Sequence, residues 1–232
     1  MDLDQFSVIS TKIEKDSKNN IIRKKYKKNV ELPLSTSDLK KLVDNYIADL
    51  KKADIPIPEI LKSELEGDTI VYETRFCGKN IIELGFKIEK FDFFKKYISK
   101  MVQILKIAME KNIYFDPHPK NFVFDDNDEI FYVDFYPPYS HNLKKIRKSQ
   151  ASIEHAKIID KNFSFFTKDF LPEHFCGDFL NIDEKSECIF KEIYLIEKDH
   201  GISLDIEQNF IKQAKYIRSI EDLRLKKNIY LL

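Results

Sequence analysis

The spacing of apolar residues changes character once along this chain, at Gly78, and that change limits the folds open to it. Upstream, the pattern is mostly period two. Residues 6–13 alternate, residues 16–20 are a cluster of turn formers, and residues 21–26 resume the extended pattern, which predicts a hairpin. Ser35, Thr36 and Ser37 are N-cap candidates for a helix with Leu39, Leu42, Val43, Tyr46, Ile47 and Leu50 at helical spacing. Pro56 and Pro58 forbid its continuation and push the residues before them into extended conformations. Two more strands, over residues 59–65 and 69–73, are joined by a turn at Glu66, Gly67 and Asp68. The order strand, strand, helix, strand, strand predicts a small antiparallel sheet carrying one helix.

Downstream of Gly78 the period becomes helical. Phe94, Tyr97, Ile98, Met101, Val102, Leu105, Ile107, Ala108 and Met109 predict a helix over residues 91–111, buried on a broad face and about 30 Å long. Ile113, Tyr114 and Phe115 follow it, then the polar run 116–121. Two short strand-like pieces, 122–124 and 130–133, flank an acidic turn at 125–129. The remainder, 142–232, alternates apolar and charged residues at mostly helical spacing, with Gly177 and Gly201 as breaks. The fold class expected is α+β, a small strand-rich part followed by a larger helical one.

Composition removes several functions. The five glycines, at 67, 78, 85, 177 and 201, lie too far apart for a Walker or Rossmann phosphate loop. Lysine plus arginine and aspartate plus glutamate each total 39, so a general nucleic-acid binder is not expected. The basic run Lys24, Lys25, Tyr26, Lys27 and Lys28 reads as a solvated strand face. Cys77, Cys176 and Cys188 are odd in number and lack CxxC spacing, which disfavours a disulfide framework and fits a reducing compartment. His174, Cys176 and Cys188 want the fourth ligand that zinc needs. No stretch approaches the roughly 18 apolar residues of a membrane span. Asp2 and Asp4 stand where a signal peptide would be basic, so a cytoplasmic location is expected.

The chemistry concentrates between residues 113 and 138. Asp116 and Asn121 flank a proline-stiffened loop of Pro117, His118, Pro119 and Lys120. Asp134 ends the second apolar strand, followed by Phe135. If the two short strands pair, Asn121 and Asp134 come to adjacent ends of one hairpin. Magnesium binds through one or two carboxylates plus substrate phosphates. Asp116 would remain to orient a hydroxyl or accept its proton. Phosphoryl transfer asks for little more, because positioning and charge neutralisation do most of the work. The bland alternative is that Asp, Asn and Pro simply make turns.

In this order, a long helix, Asp116-Pro117-His118-Pro119-Lys120-Asn121, an apolar hairpin and Asp134-Phe135, the chain resembles the catalytic core of the protein-kinase-like superfamily. It is most similar to the small-molecule and atypical branch: aminoglycoside-, choline- and homoserine-type phosphotransferases, lipopolysaccharide sugar kinases and ubiquinone-biosynthesis kinases. Ile55-Pro56-Ile57-Pro58 looks like those families' approach to the fourth strand. Residues 72–79 look like their interlobe hinge. The likeness spans roughly residues 5–138. It implies a bilobal fold, with residues 1–76 as the smaller lobe and 77–232 as the helical lobe. The helical lobe would hold the catalytic loop at 114–121, the metal-binding pair at 134–135 and the acceptor region at 139–232.

The implied cofactors are ATP and Mg2+. Asp116 would be the catalytic base and Asn121 and Asp134 the metal ligands. Lys24 would grip phosphate, with Arg23 close behind and Lys25 a third candidate, since alternation places Ile22 and Lys24 on one strand face and Ile21 and Arg23 on the other. Backbone at Glu73, Thr74, Arg75 and Phe76 would meet adenine. Asp44, near the middle of the first helix, would pair with the lysine. Tyr114 stands where the family usually has histidine, and Tyr136 replaces the glycine after Asp-Phe. Tyr136, Pro137, Pro138 and Tyr139 should form an ordered wall, with Tyr136 or Tyr139 toward a compact small-molecule acceptor. Lys144, Lys145, Arg147 and Lys148 would suit an anionic acceptor, and Glu173, Asp178, Asp183 and Glu184 a cationic one. The alternative to a phosphotransferase is a pseudokinase-like binding module. The oligomeric state is not legible.

Overall fold

The hairpin at the start is closed by its turn residues. Asp16 accepts hydrogen bonds from the N–H groups of Lys18 (3.1 Å) and Asn19 (3.2 Å), and Asn20 takes a left-handed φ of 55°. This joins β1 (Ile9–Asp16) to β2 (Ile21–Lys28) in antiparallel register. The computed structural model describes residues 9–28, 34–135, 140–149, 151–202 and 206–226. The expected start of β1 at residues 6–8 lies outside them.

Helix α1 (Thr36–Lys52) begins where the serine cluster predicts. Ser35 Oγ accepts the Asp38 N–H at 3.0 Å, satisfying one orphan donor of the first turn. Its buried stripe is Leu39, Val43, Tyr46, Ile47 and Leu50. Strands β3 (Ile60–Glu66) and β4 (Thr69–Arg75) complete a four-stranded antiparallel sheet of order β1-β2-β4-β3. β4 is therefore paired on both sides. Ile70, Tyr72 and Thr74 alternate on its inner face, all but fully buried.

Beyond Gly78 a second sheet forms from β5 (Lys79–Asn80), β6 (Phe122–Phe124) and β7 (Ile130–Tyr132), in order β5-β6-β7. The two-residue β5 carries no sequence signal of its own. Helix α2 (Phe91–Glu110) grips the turn of the β6–β7 hairpin, where Asp128 sits at φ 60°. Tyr97 Oη donates to Asp128 Oδ1 at 2.8 Å, and Lys96 Nζ donates to Oδ2 at 2.5 Å. Among the described residues five α-helices follow: α3 (His141–Ser149), α4 (Ile153–Ser164), α5 (Leu171–Asp178), α6 (Phe190–Asp199) and α7 (Glu207–Lys226). One hydrophobic core runs from α1 and β4 through α2 and β7 to α5, α6 and α7. Phenylalanine supplies much of it, at about 2–3 kcal/mol for each ring fully removed from water. The molecule is α+β, as expected. Among the described residues no helix is long and apolar enough to cross a membrane.

Candidate active site

The loop that carries Asp116 is held by its own polar atoms. Asp116 Oδ1 accepts the His118 N–H at 3.1 Å, and His118 Nδ1 accepts the Lys120 N–H at 3.2 Å. The Asn121 N–H donates to His118 O at 2.8 Å, closing a 3-10 turn over Pro119–Asn121. His118 thus shapes the loop, as its setting between two prolines suggests. Beneath the loop, Phe115 is fully buried and lies 4.1 Å from the Tyr132 ring at 30°. Tyr114, in the histidine position, places its hydroxyl 3.2 Å from His141 Nδ1, which ties the loop to the start of α3.

The hairpin brings the other two candidates alongside. The Val133 N–H donates to Asn121 O at 2.8 Å, so Asp134 follows directly on the residue bonded to Asn121. The Asn121 side chain is buried, and its Nδ2 has no hydrogen-bond partner. Nitrogen and oxygen of a side-chain amide exchange by a half turn, so a buried oxygen ligand is available beside Asp134. Among the described residues no three His, Cys, Asp or Glu side chains cluster to hold a metal. The residues present fit a cation taking two protein ligands and completing its shell with phosphate and water, the habit of magnesium.

Lys24 reaches this point from the sheet. Its register partner Tyr72 and its strand neighbour Tyr26 share its face and are buried, while Ile13, its partner on the edge strand β1, is exposed. Lys24 Nζ donates to Val133 O at 2.5 Å and lies 5.4 Å from the centre of the Phe135 ring. Burial pushes the lysine pKa down, and the Asp134 charge pulls it back up. Asp134 and Asp116 both act on two buried phenols as well. Tyr46 and Tyr132 are held well above ordinary phenol values, by burial first and then, in part, by these two carboxylates. Lys24, Asp116, Asn121 and Asp134 therefore gather at one junction.

Other expected site residues are engaged elsewhere. Arg23 faces the opposite side of β2, where its guanidinium meets Glu73 at 2.9 Å and Glu66 at 3.3 Å, and Lys25 on that face meets Glu14 at 3.1 Å. Both cations are thus engaged by carboxylates on the strand face opposite Lys24. Asp44 is not shown as the partner of Lys24. Its carboxylate accepts from Lys40 Nζ (2.7 Å), Tyr72 Oη (2.8 Å) and Ser63 Oγ (3.2 Å). Glu73, Thr74 and Arg75 lie inside β4 between two partner strands, and the Phe76 N–H donates to Asn20 O at 2.8 Å. Those backbone groups are committed to the sheet, because β4 runs two residues further than the pattern suggests. Tyr136 and Tyr139 lie outside the described residues, as does the wall expected there.

The charges of the helical part are largely spent internally. Lys144 and Lys148 hold Asp160 at 3.0 and 2.5 Å, and Arg147 lies 5.8 Å from the Phe163 ring centre. Asp178 is buried with His174 (3.5 Å) and Arg218 (3.7 Å). Asp183 caps a short 3-10 helix by accepting the Lys185 N–H at 2.9 Å. The side-chain amide of Asn181 approaches His118 Nε2 at 3.4 Å and donates to Asp178 Oδ1 at 3.3 Å, so α5 borders the loop through an amide. Sequence reasoning passed over Tyr46, Tyr132 and the Val133 carbonyl. In a single sequence the two tyrosines look like any core aromatics, and no signal marks a backbone oxygen. No protein-family model matches the chain, and no curated protein sequence matches it.

Proposed function

We propose that the chain is an ATP- and magnesium-dependent phosphotransferase of bilobal protein-kinase-like fold, acting on a hydroxyl of a small-molecule acceptor. Residues 1–76 would be the smaller lobe and 77–232 the larger. One observation carries the reading. Lys24, on the inner face of the first sheet, donates to the carbonyl of Val133, immediately before Asp134 and 109 positions away. Asn121 is bonded to that same residue through its backbone. A cation, a carboxylate and a buried amide from separate elements thus meet where a polyphosphate would need them.

In this reading Lys24 gives up its contact with Val133 O to bind phosphate oxygens, which its flexible stem permits. Asn121 and Asp134 would hold Mg2+, which when bound neutralises charge on the transferring phosphoryl group. Asp116, partly exposed at the mouth of the loop, orients the acceptor hydroxyl and takes its proton. Adenine contacts would fall where β4 ends, at residues 76–78, since the backbone of 73–75 is paired within the first sheet and Lys79 pairs with Phe124 in the second. All three cysteines are free, which suits a cytoplasmic enzyme. Asp116→Asn should slow ATP-dependent transfer or ATP hydrolysis about 10²- to 10³-fold. Equal rates in wild type and variant would remove Asp116 from the mechanism.

A second reading, a nucleotide-binding module without transfer, is favoured by the engagement of Asp44 with Lys40, Tyr72 and Ser63. Without a helix carboxylate, Lys24 is oriented by the Val133 carbonyl and the charge of Asp134. Thermal shifts with ATP, with and without Mg2+, separate the two readings when paired with turnover. A shift without turnover on a panel of hydroxyl acceptors selects the second.

A further inference from the structure

Beneath Asp116 lie two buried phenols that the phosphotransfer reading does not use. Tyr46 comes from the core-facing stripe of α1 and is 4% exposed. Its hydroxyl donates to the Tyr114 carbonyl at 2.8 Å. Tyr132, at the end of β7, is fully buried and stacks on Phe115. Its own backbone N–H donates to Pro56 O at 2.8 Å, which locks β7 to the chain leaving α1. By distance and angle the Tyr132 hydroxyl lacks a hydrogen-bond partner. Its electrostatic neighbours are Tyr46, Asp134 and Asp116, and the Asp116 N–H favours its oxygen. The two rings therefore bracket Phe115, with Tyr46 on the carbonyl before it and Tyr132 against the residue after it.

We infer that Tyr46 and Tyr132 are positioning residues that couple α1 to Asp116, doing through buried phenols what the Asp44 carboxylate, held elsewhere, does not do through Lys24. The inference rests on the phosphotransfer reading for its catalytic meaning, and on the geometry alone for the clamp itself. Tyr46 fixes the height of the chain at residue 114, and the Tyr132 ring supports Phe115 from below. A shift of α1 then moves the Asp116 carboxylate, not only the sheet above it. Since a small misplacement of a catalytic group is costly in rate, α1 gains leverage over transfer without touching the nucleotide.

Tyr46→Phe tests this, because it removes the hydroxyl and keeps the ring in the core. Amide hydrogen exchange at residues 115–120 should accelerate about three- to tenfold, the worth of one hydrogen bond, with β4 unchanged. The kcat for transfer should fall by a similar factor, with KM for ATP moving less than about twofold. Tyr132→Leu, which removes the ring that supports Phe115, should act in the same direction. The double variant should cost less than the two single costs summed, since the residues act as one unit. Unchanged exchange at 115–120 overturns the clamp whatever the activity, as does strict additivity. Accelerated exchange in a wild-type background that neither transfers nor hydrolyses ATP would sink the phosphotransfer reading and leave the clamp standing. A fall in kcat matched by an equal loss of ATP affinity would show general loosening and would also overturn it.

Discussion

Lys24, at the junction of β2, β7 and the 116–121 loop, and Glu197, between α5 and α6, are both buried but meet opposite surroundings. At the junction Lys24 meets a carbonyl and the field of Asp134. In the helices Glu197 is fully buried and neither of its carboxyl oxygens has a hydrogen-bond partner. The charge acting on it is Glu173, of the same sign, and burial together with that charge drives its pKa well up. The Cys176 thiol nearby is raised by burial and by Glu197. Opposite charges brought together from distant segments make a place where a charged ligand can be exchanged for an internal contact. Like charges on neighbouring helices, together with burial, favour the protonated form of Glu197. The first arrangement can do chemistry, and the second bears on stability.

Each region also contains a glycine at a close approach, and these give the largest expected effect. Gly78 has φ +106°, and a Cβ there would lie 1.8 Å from the Phe124 carbonyl oxygen. Gly177 has ordinary dihedrals, and its Cβ would lie 2.7 Å from Ala214 O across the α5–α7 contact. Gly78→Ala should cost about 3–5 kcal/mol, strain and overlap together. Gly177→Ala should cost about 1–3 kcal/mol, since helices can slide apart slightly. Urea unfolding measures both. A Gly78→Ala protein as stable as wild type would mean that the link between the two sheets is not rigid, and the junction with it.

The unpartnered acid gives the next effect. A carboxyl raised in the folded state keeps its proton to higher pH than in the unfolded chain, where it titrates near 4.5. Between those two values folding takes up a proton. Stability is therefore full below the unfolded value and falls as pH rises toward the folded one, at up to about 1.4 kcal/mol per pH unit. The lowered carboxylates Asp38, Asp128 and Asp160 contribute in the opposite sense, but their stabilisation is complete above their unfolded value of 3.8. Glu197→Gln should thus flatten the stability profile between pH 5 and 8 and leave the variant more stable than wild type at pH 8. An unchanged slope would show that Glu197 finds a partner in solution.

Local signals explain what was legible beforehand. The Asp16 turn, the Ser35 cap, the stripe of α2 and the alternation of β2 are set by residues a few positions apart, so one sequence suffices to read them. The nearness of Asn121 to Asp134 was legible for the same reason, since the two lie at adjacent ends of one hairpin. The failures are non-local. Alternation separates Lys24 from Arg23, but only the pairing of β2 with buried β4 says which face is inner. β4 outruns its apolar pattern because Ile21 pairs with Arg75. Glu197 carries no signal of its own in the sequence, since its burial depends on the face that its helix turns inward.

Asp44 offers the smallest effect and the sharpest test of the contrast between junction and helix. If α1 is coupled to the site through Tyr46, the charge of Asp44 matters little for transfer, because its contacts are Lys40, Ser63 and Tyr72. Asparagine at that position keeps an acceptor for the Tyr72 hydroxyl, whose pKa is raised by burial first and by Asp44 second. Asp44→Asn should therefore cost about 1 kcal/mol or less in stability, the difference between a charged and a neutral acceptor. Its kcat should stay within about threefold of wild type, where Asp116→Asn loses orders of magnitude. Steady-state rates of the two variants side by side decide the point. A loss at Asp44 as large as that at Asp116 would mean that the helix carboxylate swings to Lys24 when nucleotide binds. The carbonyl of Val133 would then be only the resting partner of the lysine, and the phenols would share the coupling of α1 with an ion pair formed in the complex.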